Sequence, residues 1–382
     1  MRLRNSLVAA GVLAGLLAAA APSAAAGPDL WLQDGYGPGR TGYNPSESVI
    51  NTGTVAKLKL RWTVKATLEP EGCEPKPQPP LVANGKMFLL NDGSISAYNN
   101  VNGKKLWTVG QAYFDGNRMT VAGGYVLGTE VNCFSQSDYS TNVVAINPNT
   151  GQLVWDEIQS YSITSSVADK GVFVVSGVCG ICDDEEYGVT AFRISDGKRL
   201  WSRTNHILAG PVSANGRIVL RDTRHAQIQI VDIADGDVLG GAAAWQVAAA
   251  NPAGTQFYLF NTAGIAAFDA SAMKAKWTVR KESGALISDG KRVFVASANR
   301  INAYNATTGK LTWTRALADP RKLIRAGGLL YALSGKKLVI LAPATGKTVV
   351  NGTAYGAVTD HVVATGGRLY TTSGSTVRAY TP

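Results

Sequence analysis

Alanine, glycine and tryptophan recur along this 382-residue chain at a spacing that leaves little choice of architecture. Ala97, Gly103 and Trp107 stand at the same offsets as Ala145, Gly151 and Trp155, and as Ala191, Gly197 and Trp201. Ala303, Gly309 and Trp313 repeat the pattern, and Ala267 and Trp277 repeat it with Met273 in the glycine place. Two further copies have lost the tryptophan: Ile230, Gly236 and Gly240 form one, Ile340, Gly346 and Val350 the other. The turn positions of successive copies lie 36 to 48 residues apart. Such a period belongs to folds that repeat one supersecondary unit whose apolar face is covered only by its neighbours.

Each unit reads as four strands. Gly85–Leu90, Gly171–Val175, Arg292–Ala296 and Gly328–Ala332 are rich in β-branched and aromatic residues. They are bounded by Asn84-Gly85, Asn215-Gly216 and Asp289-Gly290, dipeptides that accept the positive φ of tight hairpins. The glycine of each copy supplies a left-handed residue between the third and fourth strands, with Asn, Asp or Thr ahead of it to bond the turn backbone. Met273 in that place predicts a turn of different construction. Tryptophan is a large apolar plate that requires a small neighbour, and the alanine six residues before the glycine is its expected seat. The two copies without tryptophan replace that alanine by Ile230 or Ile340, the volume exchange that close packing demands.

The two ends of the pattern complete each other. Trp62, in Leu58–Trp62, carries the fourth-strand signature with no strands before it, whereas Gly367–Thr371 and Ser375–Tyr380 bring strands and Ala379 without a tryptophan. Joining them yields an all-β fold: an eight-bladed β-propeller of four-stranded antiparallel blades, its last blade closed by the N-terminal strand, over residues 55–382. Residues 27–54 form a lead-in. Residues 1–26, with Arg2 and Arg4, an apolar run from Leu7 to Ala20 and Ala24–Ala26 before Gly27, read as a signal peptide. No later stretch approaches the roughly 18 apolar residues that a transmembrane helix requires. The protein is therefore expected to be secreted, extracellular or associated with the cell wall, and to act as a monomer.

Formal charge is +10, and removing Arg2 and Arg4 leaves about +8. The excess concentrates between Lys274 and Lys347, a basic face suited to an anionic polymer such as an acidic cell-wall polysaccharide; export argues against nucleic acid. Cys73, Cys133, Cys179 and Cys182 imply two disulfides in an oxidising compartment. Three pairings are open, and loop positions favour Cys73 with Cys133 and Cys179 with Cys182. Cys179 and Cys182 lack the βαβ setting of a redox motif, and His206, His225 and His361 lack zinc-ligand spacing. Asp183, Asp184, Glu185 and Glu186 follow Cys182, and Glu69, Glu71 and Glu74 flank Cys73. On this topology both groups share one loop-rich face, an acidic platform for recognition with the first four as calcium candidates. Glu74, together with Arg118, Arg321, Lys322 and Asp360 near the inner strands, is a ligand-binding candidate. No nucleophile elbow, zinc-protease motif or oriented histidine is present, so no catalytic residue is assigned.

Ala303, Asn305, Thr308, Gly309 and Trp313 match, position for position, the tryptophan-docking repeat of the pyrroloquinoline quinone (PQQ)-like propellers, and the chain resembles that quinoprotein alcohol dehydrogenase superfamily over nearly all of residues 27–382. Trp31 and Gly39–Pro45 are similar to the lead-in of its secreted bacterial members. For the enzymes of the family the resemblance implies PQQ, a calcium ion held by Glu and Asn, an adjacent cysteine pair and a catalytic Asp. None of these matches a position here, since Cys179 and Cys182 are two residues apart. Shorter eight-bladed members are non-catalytic scaffolds, including a lipoprotein that assists outer-membrane protein assembly, whose anchor cysteine has no counterpart near Gly27. The resulting expectation is a secreted binding or scaffolding propeller without cofactor that recognises a protein or cell-wall glycan through one loop-rich face. The alternative is a PQQ-dependent oxidoreductase or another sugar-acting enzyme.

Overall fold

The computed structural model describes residues 30–382 apart from 67–77, 92–93, 110–112, 115–118, 132–140, 180–185, 226, 244 and 353–354. The expected signal peptide lies outside them. Among the described residues the helical content is 3-10 only, at Val55–Lys57 and Tyr355, and no helix is long and apolar enough to cross a membrane.

Eight antiparallel sheets follow one another along the chain. Seven blades occupy residues 81–109, 113–159, 162–204, 206–243, 246–280, 285–316 and 320–352. The eighth combines Val362–Thr365, Arg368–Ser373 and Thr376–Thr381 with Lys59–Lys65 from the other end of the chain, placing Trp62 opposite Ala379 as the sequence requires. The first strands of neighbouring blades touch one another, so they line the axis and the fourth strands face outward. Hairpins between first and second and between third and fourth strands share one face, the turn rim. Turns between second and third strands and the crossings between blades share the other, the loop rim.

What fastens blade to blade is the indole. Within its own blade each tryptophan lies opposite the repeat alanine: Ala97 with Trp107, Ala145 with Trp155, Ala191 with Trp201, Ala267 with Trp277 and Ala303 with Trp313. These alanines are fully buried. The face of the ring rests elsewhere, on the turn glycine of the following blade. A Cβ added to Gly103, Gly151, Gly197, Gly236, Gly309 or Gly346 would lie 2.7 to 2.9 Å from Trp62, Trp107, Trp155, Trp201, Trp277 or Trp313, respectively. In five of the six, all but Trp62, the indole N–H then donates to a carbonyl beside that glycine, as Trp155 does to Ile194 at 2.8 Å, Trp277 to Ala306 at 2.9 Å and Trp313 to Pro343 at 3.0 Å. The alanine thus clears room, and the glycine of the next blade is the seat.

This shifted contact explains both irregular copies. The blade with Gly240 in the tryptophan place precedes the turn containing Met273, and the blade with Val350 precedes the eighth blade, which has no hairpin between its third and fourth strands. The expectation of an altered turn at Met273 is not met. Met273 adopts φ 48° and donates its N–H to Asp269 at 3.0 Å, as Gly309 does to Asn305 at 2.9 Å. The turn is retained, and the indole that would strike its side chain is absent. Ile230 opposite Gly240 and Ile340 opposite Val350 fill the volume inside those blades.

One crossing between blades is held by a buried charge. Glu282 accepts hydrogen bonds from the hydroxyls of Ser297 and Tyr304 and from Asn302 Nδ2 at 2.5 Å. Burial pushes its carboxyl up, but these donors more than offset that and hold it below its ordinary value of 4.5. A carboxylate depressed on folding stabilises the fold fully above its unfolded pKa and loses that contribution as pH falls through the folded value.

Two outcomes follow. Gly309→Ala is expected to cost about 2–4 kcal/mol, from left-handed strain plus the displaced indole. Gly290→Ala, whose Cβ meets nothing nearer than 3.6 Å, should cost only about 1 kcal/mol in urea unfolding. Equal costs would show that the turn conformation alone, and not the indole, requires glycine. Glu282→Gln should lose about 2 kcal/mol at neutral pH, with the gap from wild type narrowing as pH drops below 4.5; a gap independent of pH would refute the charged network.

Candidate functional site

Residues 30–44 cross the axis at the turn rim, bonded to the ends of the inner strands. Trp31 exchanges backbone hydrogen bonds with Val82 at 2.7 and 2.9 Å. The N–H groups of Val121, Ser213, Ala250, Ser288 and Arg325 then donate to the carbonyls of Leu32, Pro38, Gly39, Thr41 and Gly42, at 2.7 to 2.9 Å. Asn44 Nδ2 donates to the Ala364 carbonyl at 3.0 Å, and Tyr43–Asn44 pairs parallel with Pro320–Ala326. Seven of the eight inner strands are engaged in this way. Gly42 permits the close approach: its φ is 62°, and a Cβ there would stand 2.4 Å from Ile287. The lead-in is a plug, and it satisfies inner-strand N–H groups that otherwise have no ladder partner.

Above the plug lies a cavity of about 300 Å³. Its floor is Trp31, Asp34 and Arg40; Lys322 and His361 project polar groups from the walls, and Ala248, Phe260, Leu286 and Val362 make it largely apolar. Gly284 and Ala285, at the loop-rim end of their strand, are exposed along its edge. Arg40 Nη2 lies 2.5 Å from Asp34 Oδ2 and Lys322 Nζ lies 3.7 Å from the same oxygen. Burial pushes the Asp34 carboxyl up, yet Arg40, Lys322 and His361 hold it well below the usual carboxylate range. One carboxylate against two fixed cations leaves the cavity positive. A second hollow of about 560 Å³ opens on the loop rim between the fourth and fifth blades, lined by Arg221, Trp245, Gln246, Phe260, Asn261 and Thr262. Phe260 borders both.

Of the residues singled out in the sequence, Lys322 reaches the axial cavity. Arg321, its neighbour, turns to the loop rim, where its Nη2 donates to the Gly335 carbonyl and its Nε lies 3.3 Å from Asp319. Asp360 Oδ2 accepts the Gly374 N–H and the Thr359 hydroxyl, both at 2.7 Å, bracing a hairpin of the eighth blade. Cys179 is disulfide-bonded and lies opposite Glu186 at the loop-rim end of its hairpin. Cys73, Glu74, Arg118, Cys133, Cys182, Asp183, Asp184 and Glu185 fall outside the described residues. Among the described residues no group of three His, Cys, Asp or Glu side chains could hold a metal. Sequence reasoning did not single out Asp34, Arg40 or His361. The signal at hand was the lead-in motif at Trp31 and Gly39–Pro45, whose course across the axis no local pattern reveals.

The family model described as outer membrane protein assembly factor BamB matches residues 20–246 and 237–381. Among curated proteins, the chain is 27% identical to the quinoprotein alcohol dehydrogenase PedH of Pseudomonas putida over 215 residues, covering 50% of this chain and 35% of that protein. The chain therefore spans about a third of that relative's length. Among solved structures, BamB from Moraxella catarrhalis is similar with a TM-score of 0.61 at 14% identity, covering 85% of this chain and 98% of that one. A europium-containing methanol dehydrogenase gives 0.66 at 12%, covering 93% and 98%. The computationally designed Ika8 protein gives 0.60 at 12%, covering 84% and 100%. At such identities the likeness shows the fold alone.

The ion pairs at Asp34 are expected to latch the plug. In Asp34→Asn, Arg40 and Lys322 lose their common anion, and hydrogen exchange should accelerate at the amides of Val121, Ser213, Ala250, Ser288 and Arg325, which donate to the lead-in. Unchanged exchange at these amides would mean that backbone bonding alone secures the plug.

Proposed function

The chain belongs to the family of outer membrane protein assembly factor BamB, and from that premise we propose that it is a non-catalytic binding or scaffolding propeller whose loop rim recognises a protein or glycan outside the cell. The observation that carries this reading is the plug. With the turn-rim end of the axis bonded to residues 30–44, the axial cavity and the larger hollow beside Trp245 are approached from the loop rim, whereas a hollow of about 300 Å³ between the plug and the turns at Lys170, Asn215 and Pro252 opens on the turn rim. That rim also bears the blade crossings, the part of a propeller most free to vary without disturbing the docked indoles. The family description, an assembly factor, supports a protein partner.

A PQQ enzyme is the second reading, favoured by the likeness to PedH. Its cofactor works with a hard metal cation beside the quinone, europium in the methanol dehydrogenase of similar fold, and the described lining does not fit that pair. Among the described residues the cavity offers a single carboxylate, Asp34, already shared by Arg40 and Lys322. Adding such a cation would set three positive groups against one negative one in a partly dry site.

The two readings separate on one measurement. After incubation with PQQ and either calcium or a lanthanide ion, followed by desalting, the protein is expected to retain neither quinone absorbance nor dye-linked alcohol oxidation. Stoichiometric retention with turnover would replace the scaffold by an oxidoreductase.

A further inference from the structure

The loop rim carries an uneven charge. Over the fourth to seventh blades its turns and crossings present Arg224, Arg280, Lys281, Arg300, Lys336 and Lys337, all exposed. The described carboxylates of the same arc are already engaged. Asp222 lies 3.0 Å from His225 and Asp319 lies 3.3 Å from Arg321, while Glu282 is buried beneath its three hydrogen bonds. Cations set along one arc whose described carboxylates are already engaged raise the local potential toward an approaching anion.

The hollow beside Trp245 adds a different chemistry on the same rim. Trp245 is half-buried, with its ring edge-on to Phe268 at 5.5 Å. Around Trp245 and Phe260 stand two amides, a hydroxyl and a guanidinium, from Gln246, Asn261, Thr262 and Arg221. Phe260 also lines the axial cavity, where Arg40 and Lys322 supply positive charge. Charge alone would suit any polyanion. Aromatic faces flanked by planar donors and acceptors suit a ring that has an apolar face and a hydroxyl edge, which is a pyranose and not an acidic peptide.

We infer that the hollow beside Trp245, with the axial cavity on the other side of Phe260 and the basic arc on the same rim, binds an acidic polysaccharide. Sugar rings lie against Trp245 and Phe260, and their acidic groups meet the arc and, at the axis, Lys322. The inference rests on the loop rim being the recognition face and narrows its partner to one class.

The test is calorimetric titration of the full chain with an oligogalacturonate, a neutral galacto-oligosaccharide of equal length and polyglutamate. The oligogalacturonate is expected to bind at least about tenfold more tightly than either of the others, and added salt should weaken it. Lys336→Glu with Lys337→Glu, both at exposed positions, should weaken both anions by about tenfold. Gln246→Ala with Thr262→Ala, also exposed, should weaken only the oligogalacturonate. Absence of oligogalacturonate binding overturns the inference. Polyglutamate binding as tightly, with the Gln246 and Thr262 pair silent, overturns the glycan while leaving the loop rim as the recognition face. Binding insensitive to both pairs but lost on Lys291→Glu with Lys347→Glu, on the turn rim, overturns both.

Discussion

An indole lying on a bare backbone turn is the contact from which the architecture follows. A tryptophan ring brings a large apolar area, and it gains most from it against a flat surface at van der Waals distance with its N–H satisfied. The turn glycine of the following blade supplies the flat surface, and a carbonyl beside it takes the N–H. Because donor and seat belong to consecutive blades, the contact is directional: each sheet commits the next. A row of such contacts has no natural end until the last sheet meets the first. Here Trp62 both completes the eighth blade, opposite Ala379, and rests on Gly103 of the first, so one residue closes the ring twice over.

Closure creates a problem that the lead-in solves. Inner strands packed around an axis direct backbone N–H groups where no sheet partner is available, and unsatisfied groups of that kind are costly in a partly dry channel. Residues 30–44 take such N–H groups from six blades and donate to a carbonyl of a seventh. The same stroke makes the two ends of the axis unequal. One end becomes a sealed floor with a fixed charge arrangement, and the other stays open beneath the loops. An asymmetry that arises from hydrogen-bond satisfaction thereby leaves one end of the axis open and the other bonded to the lead-in.

The fold was legible because its determinants are local and repeated. Ala303, Gly309 and Trp313 carry their meaning within eleven residues, and Trp62 matched with Ala379 identifies the closure. The seat of the indole was not legible, because Gly309 serves Trp277 from the preceding blade and not Trp313 of its own. That misreading also made Met273 look like a distorted turn, when the deciding residue was Gly240, thirty-three positions earlier. The site was harder still. Asp34, Arg40, Lys322 and His361 meet only through ring closure across about 330 residues, and nothing in the spacing of any two of them signals the meeting. Arg321 and Lys322 show the limit most plainly, since adjacent residues of one strand point to different places, the rim and the axis.

Likeness of fold is neutral between the functions considered. A methanol dehydrogenase and a designed protein match this chain about equally well, at 0.66 and 0.60, which is the result expected when docked indoles, turn glycines and ring closure account for the match. Those features lie in the sheets and the turn rim. What distinguishes one propeller from another must then lie where the repeat imposes nothing: in the crossings, in the second-to-third turns and in the side chains that ring closure brings to the axis. In this chain these are the basic arc of the fourth to seventh blades, the hollow beside Trp245 and the Asp34 cluster above the plug. Their common feature is positive charge beside an apolar ring face, a combination the sheet framework does not require and whose purpose is therefore to be sought in a ligand.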